Sequence, residues 1–389
     1  IAGLYNLPLR DYAAWSIRGG SAGGGVGMDY ATAWSLALHE LPTIVIPGWA
    51  GFGGETYWGG MPFTDYPNAF LGIVAVLLAL PAFLRPGAAS RPVRLFALTL
   101  AALSLFIAFG KNSPLYGFLY AHLPLFNKFR VPVMVLLLFQ LAAGLALAWG
   151  WSAVLELGGE RAAKPAKGGS TKAPLWRFFM IAAALLLAGL LAAAANVLRE
   201  GYVALAMSSH TNYPAELAAI AYRNFSGDLA RACLLGLAAL AVAWLALRRT
   251  LNPAVASAAV LALVLIELLP VSGRVMAPVI GDPVAKSLEA GRDDVVQFLE
   301  GAGPVGSFRV LPLAEMTSNR FAGFGISSLG GSHAAKPRLF QDFQDARIFD
   351  NLGWLRLLNI RYIITPQAIT PLPPFLREVF KGSQIVYEN

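Results

Sequence analysis

Six uninterrupted apolar blocks constrain this chain more than any other feature: Asn68–Leu84, Val93–Phe109, Pro132–Leu155, Leu175–Leu198, Leu229–Leu247 and Ala254–Val271. Each is roughly 17 to 24 residues long, about what a helix needs to cross ~30 Å of hydrocarbon. A soluble core would spread the same residues along the chain. Only 13% of the 389 residues are charged, about half of the ~25% usual in soluble proteins. The expected fold is therefore an α-helical polytopic membrane protein of about six spans. The first two blocks are short and would thin the bilayer or lean on their flanks.

The net charge is +8, and its basic residues cluster between apolar blocks, where membrane proteins keep cytoplasmic charge. No basic face with interleaved aromatics appears, which argues against a nucleic-acid partner. The connectors alternate. Arg85, Arg91 and Arg94 fill the first, Arg161, Lys164, Lys167, Lys172 and Arg177 the third, and Arg248-Arg249 the fifth. The second and fourth are longer, with only Lys111, Lys128, Arg130, Arg199, Arg223 and Arg231. The odd connectors are thus expected inside, with residues 1–67 and everything after Val271 outside. The lone Cys233 permits no intrachain disulfide.

Three regions follow. Residues 1–67 form an extracytoplasmic loop region rich in glycine and aromatics, in which Leu41–Pro47 is too short to span and suits an interfacial or re-entrant piece. Residues 68–271 form the membrane domain. Residues 272–389 form an extracytoplasmic α/β domain, with a helix over Asp293–Glu300, strands over Ser307–Leu313 and Arg361–Thr365, and an amphipathic helix over Asn351–Leu358. The run Gln384–Asn389 has the pattern of a strand, and both ends of the chain are expected to be truncated.

Few residues carry chemistry by pattern alone. The run Gly19–Gly27 lacks the GK[ST] ending of a phosphate loop and suits a flexible surface loop. His39, His122, His210 and His333 map to the outside but stand far apart; they are separate polar residues or, less simply, a metal site. No cofactor is indicated, and a divalent metal stays open. Glu267 is the one acid inside a block, where an ionisable group is expensive. It is either a structural partner, meeting Arg274 or water near the outer end, or part of a pathway. Lys128 and Arg130 stand at the mouth of the third block, with Phe126 and Phe129 at headgroup level. They anchor the helix or clamp a lipid phosphate. Pro132 is expected to hold Val131 extended and so to fix Arg130. Gly330-Gly331-Ser332-His333, with Lys336 and Arg338, is a cationic loop, either a turn or a surface facing a site.

Several stretches together resemble the bacterial YfhO-like membrane proteins, grouped with glycosyltransferases of the GT-C type. These are Tyr12-x-x-Trp15-Ser16-Ile17-Arg18-Gly19-Gly20, Trp34-Ser35-x4-Glu40-Leu41, Tyr57-Trp58-Gly59-x-Met61-Pro62-Phe63-Thr64 and Gly110-Lys111-Asn112-Ser113-Pro114-Leu115. The strongest is Leu123-Pro124-Leu125-Phe126-Asn127-Lys128-Phe129-Arg130-Val131-Pro132, and the outer domain adds Gly330-Gly331-Ser332-His333-x2-Lys336-x5-Asp342 and Leu357-Leu358-Asn359-Ile360-Arg361-Tyr362. The resemblance implies sugar transfer from a polyprenyl-phosphate carrier to a cell-envelope polymer, on the outer face of the bacterial plasma membrane. Arg18, Glu40, Lys128, Arg130, His333 and Lys336 are the implied substrate-binding residues. It also implies a longer protein whose catalytic acid precedes Ile1; no acid here matches that role, and the fragment alone is expected to be inactive. The rival class is a non-enzymatic transporter, flippase or envelope scaffold.

Overall fold

A computed structural model of the chain describes residues 8, 11–17, 27–84, 90–124, 126–159, 172–209, 213–276, 288–289, 291–333 and 336–389. Arg18, the glycines at 19–25, Arg85, the basic loop from Arg161 to Lys167 and His210 lie outside the described residues. The chain divides into two compact units: Gly27–Ala277, and Ile1–Val26 joined with Pro278–Asn389. The expected boundary at residue 67 thus falls elsewhere. Residues 27–67 belong with the spanning helices because their backbone is satisfied there: Leu36 N donates to Ala108 O (2.8 Å) and Leu71 N to Ile44 O (2.9 Å).

In the membrane unit, α1 (Met28–Ala31) and a 3-10 helix at Leu38–Ile44 precede α2 (Ile73–Ala79) and α3 (Pro81–Leu84). Then come α4 (Arg91–Ala108), α5 (Pro114–His122), α6 (Leu136–Gly159), α7 (Lys172–Ala194), α8 (Arg199–Ser209), α9 (Ala215–Leu247) and α10 (Pro253–Val275). Five runs are long and apolar enough to cross a membrane: Arg91–Ala108, Pro132–Gly159, Leu175–Ala194, Ala215–Leu247 and Pro253–Val275. Their outward leucines are bare, with Leu137 71% and Leu191 69% exposed, which fits contact with lipid rather than water. The chain is a polytopic helical membrane protein.

The first apolar block differs from expectation. Only Ile73–Phe83 is helical there, too short to be counted with the five. Residues 68–72 lead in without helix, Gly72 turns with φ +88°, and Pro81 opens a second short helix. The fifth block errs the other way. Its helix begins at Ala215 and runs 33 residues, because the polar residues Arg223, Asn224 and Asp228 interrupt the hydropathy without interrupting the helix. Helices approach closely at glycines: a Cβ on Gly150 of α6 would lie 1.9 Å from Leu78 O of α2. Val74, Leu78, Val154 and Ala243 fill the core between them.

The second unit is α/β. Its α11 (Asp294–Gly301) is capped by Asp293, whose carboxylate accepts the Val296 amide at 2.9 Å. After it come β1 (Arg309–Pro312), β2 (Ser327–Ser328), α12 (Arg338–Asp345), α13 (Leu352–Leu357, capped by Asn351), β3 (Ile360–Thr365), β4 (Arg377–Lys381) and β5 (Ile385–Glu388). The expected helices and strands form within a few residues of their predicted bounds. The sheet order is β2-β1-β3-β5-β4, with β1 parallel to β2 and β3, and β5 antiparallel to both its neighbours. The alternation of β3 sends Tyr362 and Ile364 to a core with Val295, Val296 and Val386, and Ile363 to another with Leu355 and Tyr387. The early segment joins this unit through Ile17 N, which donates to Lys336 O at 3.0 Å, and a bridge between Ser16 and Pro337.

Candidate functional site

The short α2 leaves space that a full-length helix would fill. Between α2, α6 and α10 lies a groove of about 580 Å³, walled by Phe70, Leu71, Ala75, Ala143, Gly144, Leu147, Val264, Leu268, Val271 and Val275. Its polar members are Tyr66, Gln140 and Ser272. From Val264 to Met276 the wall rises roughly 18 Å, at about 1.5 Å per residue. Gly144 faces open space, since a Cβ there meets nothing within 4 Å. Gln140 spends its amide on Asn68 O (3.4 Å) and Phe70 O (3.3 Å), so it closes the chain leading into α2.

Phe70 and Val271 also border a small polar cavity lined by Asp228, Arg231 and Glu267. Here the backbone breaks are repaired. Glu267, 4% exposed, accepts Ile73 N on Oε1 (2.7 Å) and Val74 N on Oε2 (3.1 Å), the first free amides of α2. A Cβ on Gly72 would sit 2.4 Å from that carboxylate, and φ +88° already calls for glycine. Pro270 has no N–H for the Ile266 carbonyl four residues back. Arg231 supplies one, donating through Nη2 to Ile266 O. The expected partner Arg274 is not among the groups that Glu267 meets; its carboxylate oxygens face these two amides. Arg274 instead binds Asp228 with both guanidinium nitrogens (2.8 and 2.5 Å) and lies 4.9 Å over the Phe52 ring.

Arg130 is half-buried at the start of the Pro132 span. Its Nη1 donates to Tyr30 OH, and its guanidinium lies 5.1 Å over the Tyr30 ring. Neither Arg130 nor Lys128 has a carboxylate partner among the described residues. The expected extended Val131 is corrected: it takes φ +62°, ψ +70°, the left-handed region that a β-branched residue rarely enters. Hydrogen bonds hold it there, from Val131 N to Ala31 O (3.2 Å) and from Val133 N to Trp34 O (3.4 Å). The tertiary contact overrides the local bias before proline.

Glu40 is 2% exposed on the 3-10 helix Leu38–Ile44. Its Oε2 accepts the Tyr57 hydroxyl at 2.9 Å and its Oε1 the Gly60 amide at 2.7 Å. Burial, with the Glu40 charge, pushes the Tyr57 phenol well above its ordinary 10.0, so it stays a donor. Nearby, His39 stacks on the buried Trp58, and Tyr202 accepts from Trp58 Nε1 (3.0 Å) while donating to Trp49 O (2.9 Å). Burial raises the Tyr213 phenol to about 12; it donates to Thr56 O at 2.7 Å. In the α/β unit, His333 meets the Tyr12 ring edge-on at 6.4 Å, and Lys336 donates to Gln344 Oε1 at 2.7 Å. Among the described residues no three His, Cys, Asp or Glu side chains gather as a metal site.

Asp228 and Gln140 carry no sequence-based expectation, and Arg231, expected as a connector charge, lies within the helix Ala215–Leu247. Asp228 falls one residue before the fifth block, and its signal was the Asp228/Arg231 spacing on one face of a continuing helix. Comparison with family models, curated proteins and solved structures finds no match.

Proposed function

We propose that this chain is the lipid-holding part of a membrane glycosyltransferase that moves a sugar from a polyprenyl-phosphate carrier to a cell-envelope polymer, on the outer face of the bacterial plasma membrane. The groove between α2, α6 and α10 carries this reading: its walls are apolar, it is built by spanning helices, and its ~18 Å length suits an isoprenoid tail. Arg130 and Lys128 support it. Both are cations without a carboxylate partner among the described residues, and a guanidinium binds phosphate with two parallel hydrogen bonds. Arg18, Glu40, His333 and Lys336 stay in the reading as substrate-side residues by family resemblance.

Placement of both ends on one side draws support from the second unit, and the basic connectors give that side as the outside. The second unit joins residues before the membrane unit to residues after it, through Ile17 and Lys336. Two segments of one compact unit fit a shared side, which favours an even number of crossings between them. The five long helices reach an even number if the short Ile73–Phe83 crosses as well. Single cysteines at Ser170 and Ser332, in a Cys233→Ala background on spheroplasts, test the sidedness; an impermeant maleimide that labels Ser170 but not Ser332 inverts it.

Gly144→Phe is the direct test of the groove, because it fills open space without a backbone clash. In the full-length protein it is expected to remove co-purifying isoprenoid lipid and to lower sugar transfer at least about tenfold, the loss of ~1.4 kcal/mol of tail binding. Unchanged lipid content and transfer would sink the reading. A second reading, a non-enzymatic transporter, flippase or envelope scaffold, draws on the buried carboxylates of the membrane unit. Glu40, Asp228 and Glu267 each have both oxygens engaged. Retained lipid with no transfer from any polyprenyl-phosphate sugar selects it.

A further inference from the structure

We infer that the cavity beside Glu40 binds a bare alkali-metal cation. The cavity holds about 10 Å³, room for one small sphere, and is lined by Glu40, Thr43, Tyr57, Thr64 and Asn68 among its polar members. Glu40 is almost wholly buried and has no Lys, Arg or His partner among the described residues. Its two hydrogen bonds, from Tyr57 and Gly60, come from neutral donors. Neither donor carries a positive charge, and a buried carboxylate without a counter-charge is costly.

The hydroxyls around the cavity show which sign of ligand fits. Tyr57 gives its hydrogen to Glu40 Oε2 (2.9 Å), Thr43 to Glu40 O (2.5 Å) and Thr64 to Tyr66 O (2.8 Å). Asn68 turns its amide nitrogen toward Thr64 Oγ1 (3.2 Å), which leaves its carbonyl oxygen as the remaining acceptor. Thr64 Oγ1 also accepts Tyr66 N (3.4 Å), and the Tyr57 hydroxyl accepts Met61 N (3.0 Å), so the lone pairs that remain belong to Glu40, Thr43 Oγ1 and the Asn68 carbonyl. A carboxylate, the Thr43 hydroxyl and the Asn68 carbonyl form an all-oxygen set, which hard cations prefer. One carboxylate balances one positive charge. A divalent ion would keep a net charge in a closed space, so a monovalent ion is the fit.

This inference is independent of the lipid groove, and either can fail alone. The test uses the full-length protein in lipid nanodiscs, with sodium or potassium chloride replacing choline chloride at constant ionic strength. Thermal unfolding followed by tryptophan fluorescence is expected to shift upward and saturate with sodium or potassium, as for any ligand of the folded state. Glu40→Gln keeps the shape and removes the charge, so its half-saturating concentration should rise at least about tenfold. Asn68→Ala, a milder change should Glu40→Gln not fold, should raise it about threefold. Equal unfolding temperatures in choline and alkali salts would overturn the inference, and so would saturation at the wild-type concentration in the variants.

Discussion

The membrane unit and the α/β unit meet the same problem, a backbone group without a helical partner, and answer it with different side chains. In the α/β unit, short polar caps suffice: Asp293 holds the start of α11 and Asn351 that of α13. Among its charge pairs, Arg361 and Arg377 lie at the surface, 47% and 77% exposed against Glu388, while Arg320 is part-buried between Asp293 and Glu315. In the membrane unit, full charges are sunk into the helix packing. Glu267 caps α2, Arg231 serves the carbonyl that Pro270 leaves bare, and Asp228 holds Arg274. Water completes whatever a cap leaves undone in the α/β unit. Hydrocarbon offers no such help, so each break needs its own dedicated side chain.

The sharpest way to break this contrast is Glu267→Ala. It leaves the Ile73 and Val74 amides bare, at about 1–3 kcal/mol each. The expected outcome in denaturant unfolding of the reconstituted protein is a loss well above the ~1 kcal/mol of a capping deletion such as Asn351→Ala. Glu267→Gln, which keeps an acceptor, should recover part of it. Equal losses for Glu267→Ala and Asn351→Ala would erase the distinction.

A smaller effect sharpens it. Arg231→Leu should cost about 1–3 kcal/mol by stranding the Ile266 carbonyl. In a Pro270→Ala background the restored amide can serve that carbonyl, so the same change should cost less. The coupling is read from a double-mutant cycle in unfolding free energy; additive effects would mean that Arg231 does not compensate for Pro270.

The α/β unit supplies the smallest. Hydrogen bonds from Arg377 and Arg361 hold the Glu388 carboxyl below its ordinary 4.5. A depressed folded value means that the stabilisation is present above pH 4.5 and fades as the pH falls through the folded value. Arg377→Ala is therefore expected to narrow the acid side of the stability profile, by less than about 1 kcal/mol at neutral pH for so exposed a pair. Circular dichroism against pH checks it; an identical acid limb in the variant would remove Glu388 from the account.

Local patterns carried the parts of this fold that local forces decide. Apolar runs marked all five long spans, and strand alternation with helix spacing placed α11, α13, β1 and β3. Composition misled where geometry changes inside an apolar run: Asn68–Leu84 is as hydrophobic as a span, yet Gly72 and Pro81 divide it. Hydropathy also ended the fifth block at Leu229, hiding Asp228 from the membrane unit. Glu267 was visible as an outlier, but its partners were not. The amides of Ile73 and Val74 lie 194 and 193 residues away in sequence, and no local pattern encodes such a pairing. The groove escaped for the same reason, being defined by a helix that is too short. Sheet order was equally hidden, since neighbours in a sheet are chosen by long-range pairing.

That sheet order governs when the α/β unit can be finished. The last of these five strands to be made, β5, lies between β3 and β4 rather than at an edge. As the chain emerges, β3 can pair with β1 at once, but its other edge stays bare until residues 385–388 arrive. Because β3 is the most buried strand of the unit, that bare edge is the surface most open to wrong pairing with another chain. A nick or early stop between Thr365 and Ile385 would prolong this exposure indefinitely. Such a product would be marked for aggregation or proteolysis while its membrane helices remained intact.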